Sequence, residues 1–165
     1  MSEMWRHYEE SGGLKVSGLT EREIGFLEGV LDSEGYIGLT KYRSRGIAYY
    51  AGCRYVPIVF VSNTNLGFLE KVRELSGGDG SIIPLKSLAA QYPKRKLIYT
   101  WKMVRSVMRS VLSQLQLIVK EEQRLLLIDA LGILEEKKYK HLTQYDIIRL
   151  DTIYQDMKRL NKRGK

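Results

Sequence analysis

The chain has 165 residues, 44% hydrophobic and 28% charged, with a net charge of +8. That length suits one domain with a real core, no apolar run is long enough to span a membrane, and Met1 to Gly18 holds no signal-peptide core. One cysteine, Cys53, and two histidines, His7 and His141, exclude an internal disulfide and a Cys/His-rich zinc site. They fit an intracellular setting, whether cytoplasm, nucleoid or organelle matrix.

Met1 to Gly18 reads as a flexible arm ending in Ser11-Gly12-Gly13, and residues 19–165 as the folded domain. Thr20-Glu21-Arg22-Glu23 fits a capping box that opens a helix from about Glu21 to Glu34. Gly25, Gly29 and Ser33 recur every fourth residue and so share one side of that helix. Glycine inside a helix costs roughly 0.5–1 kcal/mol relative to alanine. Small residues at this spacing let two backbones approach closely. Phe26, Leu27, Val30 and Leu31 supply apolar surface for a core. No second helix of this kind is obvious, which points to a second copy of the chain as the partner. Gly35 suits a left-handed residue that stops the helix. Asp32 and Glu34 then lie at its negative end, where a carboxylate is disfavoured by about 0.3–1 kcal/mol. A divalent cation between two such helix ends would reverse that penalty.

Tyr36 to Arg43 alternates as a strand, Ser44-Arg45-Gly46 reads as a turn, and Tyr49 to Val61 as a second strand with Pro57 at a bulge or edge. A helix follows over Leu66 to Leu75. Gly77-Gly78-Asp79-Gly80 stops it and lacks the Lys-Ser/Thr ending of a phosphate loop. Ser81 to Leu88 and Lys96 to Trp101 form a second strand pair around Gln91-Tyr92-Pro93-Lys94-Arg95. Helices fill the rest, over about Val104 to Leu115, Lys120 to Lys137 and Thr143 to Leu160. The order is α-ββ-α-ββ-α plus extra C-terminal helices. The expected fold is α+β: a four-stranded antiparallel sheet with helices on one face.

Charge follows the same partition. No Asp or Glu occurs between Gly35 and Leu69, which holds Lys41, Arg43, Arg45 and Arg54. None occurs from Ser81 to Lys120, which holds Lys86, Lys94, Arg95, Lys96, Lys102, Arg105, Arg109 and Lys120. This asymmetry fits a nucleic-acid binder better than a merely basic surface. A basic two-stranded ribbon fits the DNA major groove, and two such sheets, one per subunit, would form a long saddle.

Leu27-Glu28-Gly29-Val30-Leu31-Asp32-Ser33-Glu34-Gly35 resembles, without a gap, the nine-residue signature helix of the LAGLIDADG homing endonucleases. Leu27, Gly29, Asp32 and Gly35 are identical to it; Glu28 replaces the usual alanine and reads as a surface position. Val61-Ser62-Asn63-Thr64-Asn65 is similar to the strand end that places a polar amide near the cleaved phosphate. Leu112 to Gln123 is similar to a later segment that carries a lysine near the scissile site.

The resemblance implies Glu34 and the Ser33 carbonyl as ligands of Mg²⁺ or another divalent cation. It implies Asn63 and Lys120 as catalytic helpers. Gly25, Gly29, Asp32 and Ser33 would form a dimer interface, with Asp32 capping or bracing. Gly38, Thr40, Tyr42, Arg43, Arg45, Arg54, Lys86, Lys94, Arg95 and Lys96 would contact DNA, half or more of such contacts going to phosphate. Plainer readings stay open: a solvated carboxylate at Glu34, a surface lysine at Lys120, a cap or turn residue at Asn63, and strand propensity for Tyr42, Tyr49, Tyr50 and Tyr55.

The expected function is a homodimeric, site-specific double-strand DNA endonuclease. It would cut a long near-palindromic site to leave 3′ overhangs, with its gene carried in an intron or intein. Neither a membrane partner nor a small-molecule substrate is expected. An intron RNA maturase and a non-catalytic DNA-binding regulator on the same fold are the alternatives. Leu125 to Gly132 looks like a degenerate second signature, but Leu131 sits at the ligand position, so an apolar helix face explains it better.

Overall fold

The structure, a computed structural model, describes residues 18–43, 53–86, 96–137 and 141–162. The expected arm over 1–17, the turn at 44–46, the start of the second strand at 49–52 and the loop over 91–95 lie outside the described residues.

Helix α1 spans Glu21–Ser33. Its capping box is formed: Glu23 N–H donates to Thr20 Oγ1 at 3.3 Å, and Thr20 N–H donates to the Glu23 carboxylate at 2.9 Å. The Thr20 N–H and hydroxyl, each donating to the Glu23 carboxylate at 2.9 Å, hold that carboxyl below its usual range. Leu27, Val30 and Leu31 enter the core. The helix closes at Glu34, whose N–H reaches Val30 O at 2.9 Å. Gly35 corrects one expectation. It does not adopt a positive φ, so it is not a left-handed stop. A Cβ there would lie 2.7 Å from Leu31 Cα and O, so glycine is needed for close passage of the chain past the last turn.

Strand β1, Gly35–Arg43, pairs antiparallel with β2, Cys53–Asn63, from Gly35↔Val61 to Arg43↔Cys53 without a bulge. Pro57 pairs with Leu39, while β4, Tyr99–Lys102, joins β2 only from Phe60 onward. Pro57 therefore sits where β2 has one ladder neighbour, and its missing N–H is tolerated. Helix α2 spans Leu66–Leu75, capped by Asn65, whose side chain accepts the Phe68 N–H at 3.2 Å. A turn over 77–80 follows, with positive φ at Gly77, Gly78 and Gly80. Strand β3, Ser81–Pro84, pairs with β4. The sheet order is β1-β2-β4-β3, antiparallel throughout. Both β3 and β4 are shorter than the sequence suggests.

Helix α3, Arg105–Leu112, ends earlier than expected, and a loop leads to α4, Glu121–Glu136, and then α5, Gln144–Lys162. The core runs from α1 (Leu27, Leu31) through β1 and β2 (Ile37, Val59, Val61) and Trp101 to α3, α4 and α5 (Met108, Leu127, Leu131, Leu150, Met157). The degenerate signature lies inside α4, with Leu127, Ala130 and Leu131 buried and no strand after it among the described residues. No described helix is long and apolar enough to cross a membrane.

Candidate functional site

The end of α1 gathers the three residues expected to do chemistry. Glu34 is its exposed C-cap. Asn63, the last residue of β2, donates from Nδ2 to Glu34 Oε2 at 2.6 Å. Its Oδ1 accepts the Asn65 N–H at 2.8 Å, which fixes the amide plane. Asn63 is thus a turn residue and a partner of Glu34 at once; the helix cap is Asn65. Lys120 reaches the same helix end from the α3–α4 loop. Its ammonium donates to Leu31 O and Asp32 O, each at 2.7 Å. It thereby satisfies two terminal carbonyls that no helical N–H can reach. Burial pushes the Lys120 pKa below the ordinary lysine value, and the charge of Asp32 only partly offsets it.

The other acids of α1 are committed within the same chain. Asp32 accepts the N–H groups of Ile118, Val119 and Lys120 at 2.7, 3.1 and 3.0 Å. Its carboxylate is therefore engaged before any second copy arrives. Glu28, read from the sequence as a surface position, is half-buried and accepts the Gln116 N–H at 2.6 Å.

The small-residue stripe is open. Gly25, Gly29 and Ser33 are exposed, and a Cβ at Gly25 or Gly29 would meet nothing within 4 Å. The Ser33 hydroxyl turns back to Gly29 O at 2.7 Å, so it offers no outward donor there. The adjoining loop exposes Ile118 and Val119 at 93% and 72%.

The oxygen donors at Glu34 and Ser33 suit a hard cation such as Mg²⁺. Among the described residues no group of three or more His, Cys, Asp or Glu could hold a metal. Among the described residues one chain brings a single uncommitted carboxylate, Glu34, to this point, so a cation held here would need further oxygens from water, phosphate or a second chain.

The sheet sorts the expected DNA contacts by strand parity. Odd positions of β2 (Tyr55, Pro57, Val59, Val61) are buried against the helices, whereas Arg54 is exposed and Val56, Ile58, Phe60 and Ser62 are half-buried. By cross-strand register, Tyr36, Gly38, Thr40 and Tyr42 share the open face with Phe60, Ile58, Val56 and Arg54. Tyr42 is 51% exposed. Tyr36 stacks on Phe60 at 4.9 Å and lies across Gly38, where a Cβ would sit 2.6 Å from the ring. Gly38, expected to contact DNA, is itself buried, so the surface at position 38 is the Tyr36 ring. Arg43 ends β1, exposed but with the opposite parity. Lys86 and Lys96 are exposed beyond β3 and before β4, whereas Arg45, Lys94 and Arg95 lie outside the described residues.

Lys41, part of the acid-free stretch, is not on that face. It pairs with Asp151 of α5 at 2.6 Å. Sequence reasoning missed Tyr36 and Lys102 as open-face residues. Lys102 is exposed and pairs with Phe60, and parity counted from Trp101 would have found it.

No family model matches the chain, and no curated protein matches it by sequence. Solved structures do. The archaeal intron-encoded homing endonuclease I-Vdi141I, complexed with DNA, superposes with a TM-score of 0.69 at 19% identity, over 84% of this chain and 83% of that one. I-CvuI, with the I-CreI target in 2 mM Mg and its DNA not cleaved, gives 0.67 at 14%, over 85% and 82%. The LAGLIDADG homing endonuclease I-SmaMI, bound to cleaved DNA, gives 0.64 at 20%, over 82% of this chain but only 43% of its own. With its α1 signature, its sheet order and these likenesses, the chain has the fold of the LAGLIDADG homing endonucleases.

Proposed function

We propose that the protein is a site-specific double-strand DNA endonuclease that acts as a homodimer. The observation that carries this is the meeting of Glu34, Asn63 and Lys120 at the end of a helix whose Gly25/Gly29/Ser33 side is bare. Pairing two copies along that side would bring two Glu34 carboxylates to one axis. Two open sheet faces would then straddle a duplex with matching half-sites. That the chain covers less than half of I-SmaMI is consistent with one chain supplying half of the assembly.

In this reading the Glu34 carboxylate and the Ser33 carbonyl would hold a divalent cation, which would supply Lewis-acid stabilisation of the charge that develops at the reacting phosphate. Asn63 keeps the Glu34 carboxylate oriented through Nδ2. Lys120 sets a positive charge beside the scissile phosphate and stabilises the negative charge that develops there. Arg54 and Lys102 on the open face, with Lys86 and Lys96 at its margin, neutralise phosphates, while Tyr36, Thr40 and Tyr42 face base edges.

The test is incubation with a plasmid library and Mg²⁺, beside Glu34→Gln. Native protein should open specific plasmids with 3′ overhangs, and Glu34→Gln should cut at least about 100-fold more slowly while still binding. Intact DNA under all divalent cations tried, or an unchanged rate in Glu34→Gln, would contradict the proposal. Stimulated intron splicing with intact DNA would point to the maturase instead.

A further inference from the structure

Five consecutive backbone amides, Gln116 through Lys120, all donate to carboxylates, although no helix or strand contains them. Gln116 N–H goes to Glu28, Leu117 N–H to Glu121 at 2.8 Å, and the next three to Asp32. Three carboxylates on two helices therefore hold one loop. Such a cluster needs a counter-charge, and Arg124 provides it from a side chain that is 8% exposed. Arg124 binds Glu121 through Nε at 2.7 Å and Nη2 at 2.5 Å, and caps Leu112 O, the last carbonyl of α3, at 2.7 Å. It also feels the charge of Glu28. Hydrogen bonds to ionised acceptors are about twice as strong as neutral ones. The result is a loop tied at every residue, whose last residue is Lys120.

We infer that Glu28, Glu121 and Arg124 are positioning residues for Lys120, completing with Asp32 a brace that holds the lysine against the end of α1. The inference rests on the endonuclease reading for what Lys120 does, but the brace itself is a property of the free protein. Glu28 is the informative member. The signature resembled here has alanine at this position, and only the longer side chain reaches the Gln116 amide.

The experiment compares native protein with Glu28→Ala and Glu28→Gln. Glu28 is half-buried at the surface, and neither change opens a core cavity. Amide hydrogen exchange on the free protein reads the brace. Glu28→Ala should speed exchange across 116–120 by about tenfold, the worth of one hydrogen bond to a charged group. Glu28→Gln, whose neutral amide oxygen still accepts a bond about half as strong, should restore part of the protection, leaving exchange about threefold faster than native. Single-turnover cleavage of the preformed DNA complex reads the positioning. Glu28→Ala should slow it by about tenfold with DNA affinity within about twofold, because misplacing a catalytic group costs rate rather than binding. Unchanged exchange in Glu28→Ala would overturn the brace. Faster exchange with an unchanged cleavage rate, or equal loss of rate and affinity, would overturn the positioning role. A native protein that cuts no DNA would overturn the endonuclease reading and leave exchange to judge the brace alone.

Discussion

The single charge of Lys120 caps α1 and, in the proposed reading, also acts on phosphate. Its ammonium neutralises the carbonyl end of α1, where Glu34 otherwise adds negative charge to the negative pole of the helix dipole. The same charge serves the proposed phosphate chemistry. Burial holds its pKa below that of an ordinary lysine, so the charge disappears as pH rises through that lowered value. The native cleavage rate should therefore fall on the alkaline side earlier than free lysine would dictate. In Lys120→Arg, whose guanidinium stays charged, the rate is lower but should stay flat over the same range. A pH–rate profile checks this, and parallel profiles would contradict it. The catalytic candidates at this scale were readable because each is a residue type at a motif position. Glu28 and Arg124 were not, since the amides and carbonyl they serve lie on other elements, up to 88 residues away in sequence.

Helices and strands show the same division between local and tertiary signals. The capping box at Thr20/Glu23, the bounds of α2 and the alternation of β2 are short-range patterns, and the structure contains them. The role of Gly35 was not short-range: it depends on contact with Leu31 rather than on its own φ. Lys41 shows it again: the sequence places it only in an acid-free basic stretch, and its partner Asp151 arrives from α5. That aspartate joins α5 to both long strands, accepting from Lys41 Nζ at 2.6 Å and Tyr55 OH at 2.7 Å.

Burial pushes the Asp151 pKa up, but the Lys41 and Tyr55 bonds outweigh it and hold the carboxyl below its usual value. The folded pKa is thus depressed. The stability it contributes is complete above the unfolded carboxylate pKa near ~3.9 and is lost as pH falls through the folded value. Asp151→Asn should cost about 1 kcal/mol at neutral pH, kept small because the pair is partly exposed, and the deficit should shrink in acid. Urea unfolding at several pH values measures it. A deficit that does not change with pH would show that the charge plays no part.

For the whole molecule, the decisive asymmetry is between what one chain completes and what it leaves open. The loop carrying Lys120 is tied at every residue, and the core closes around Trp101. The Gly25/Gly29/Ser33 side is exposed, and on the sheet face opposite the core Tyr42, Arg54 and Lys102 are exposed. Acid-free stretches flank that face, so DNA binding should weaken steeply with salt, as expected when several phosphates are neutralised. A salt-independent affinity would contradict an electrostatic saddle. The α+β order was legible because each element has its own period and punctuation. The sheet order and the face covered by α5 were not, because they depend on contacts between elements far apart in sequence.

Pairing of two copies along α1, which would bring their Glu34 carboxylates together, is read by light-scattering mass. Gly29→Glu is the control, since its Cβ enters open space and the fold should survive. The native protein should show twice the mass of one chain, and Gly29→Glu the mass of one chain. Native protein at the mass of one chain, both free and on DNA, would contradict it.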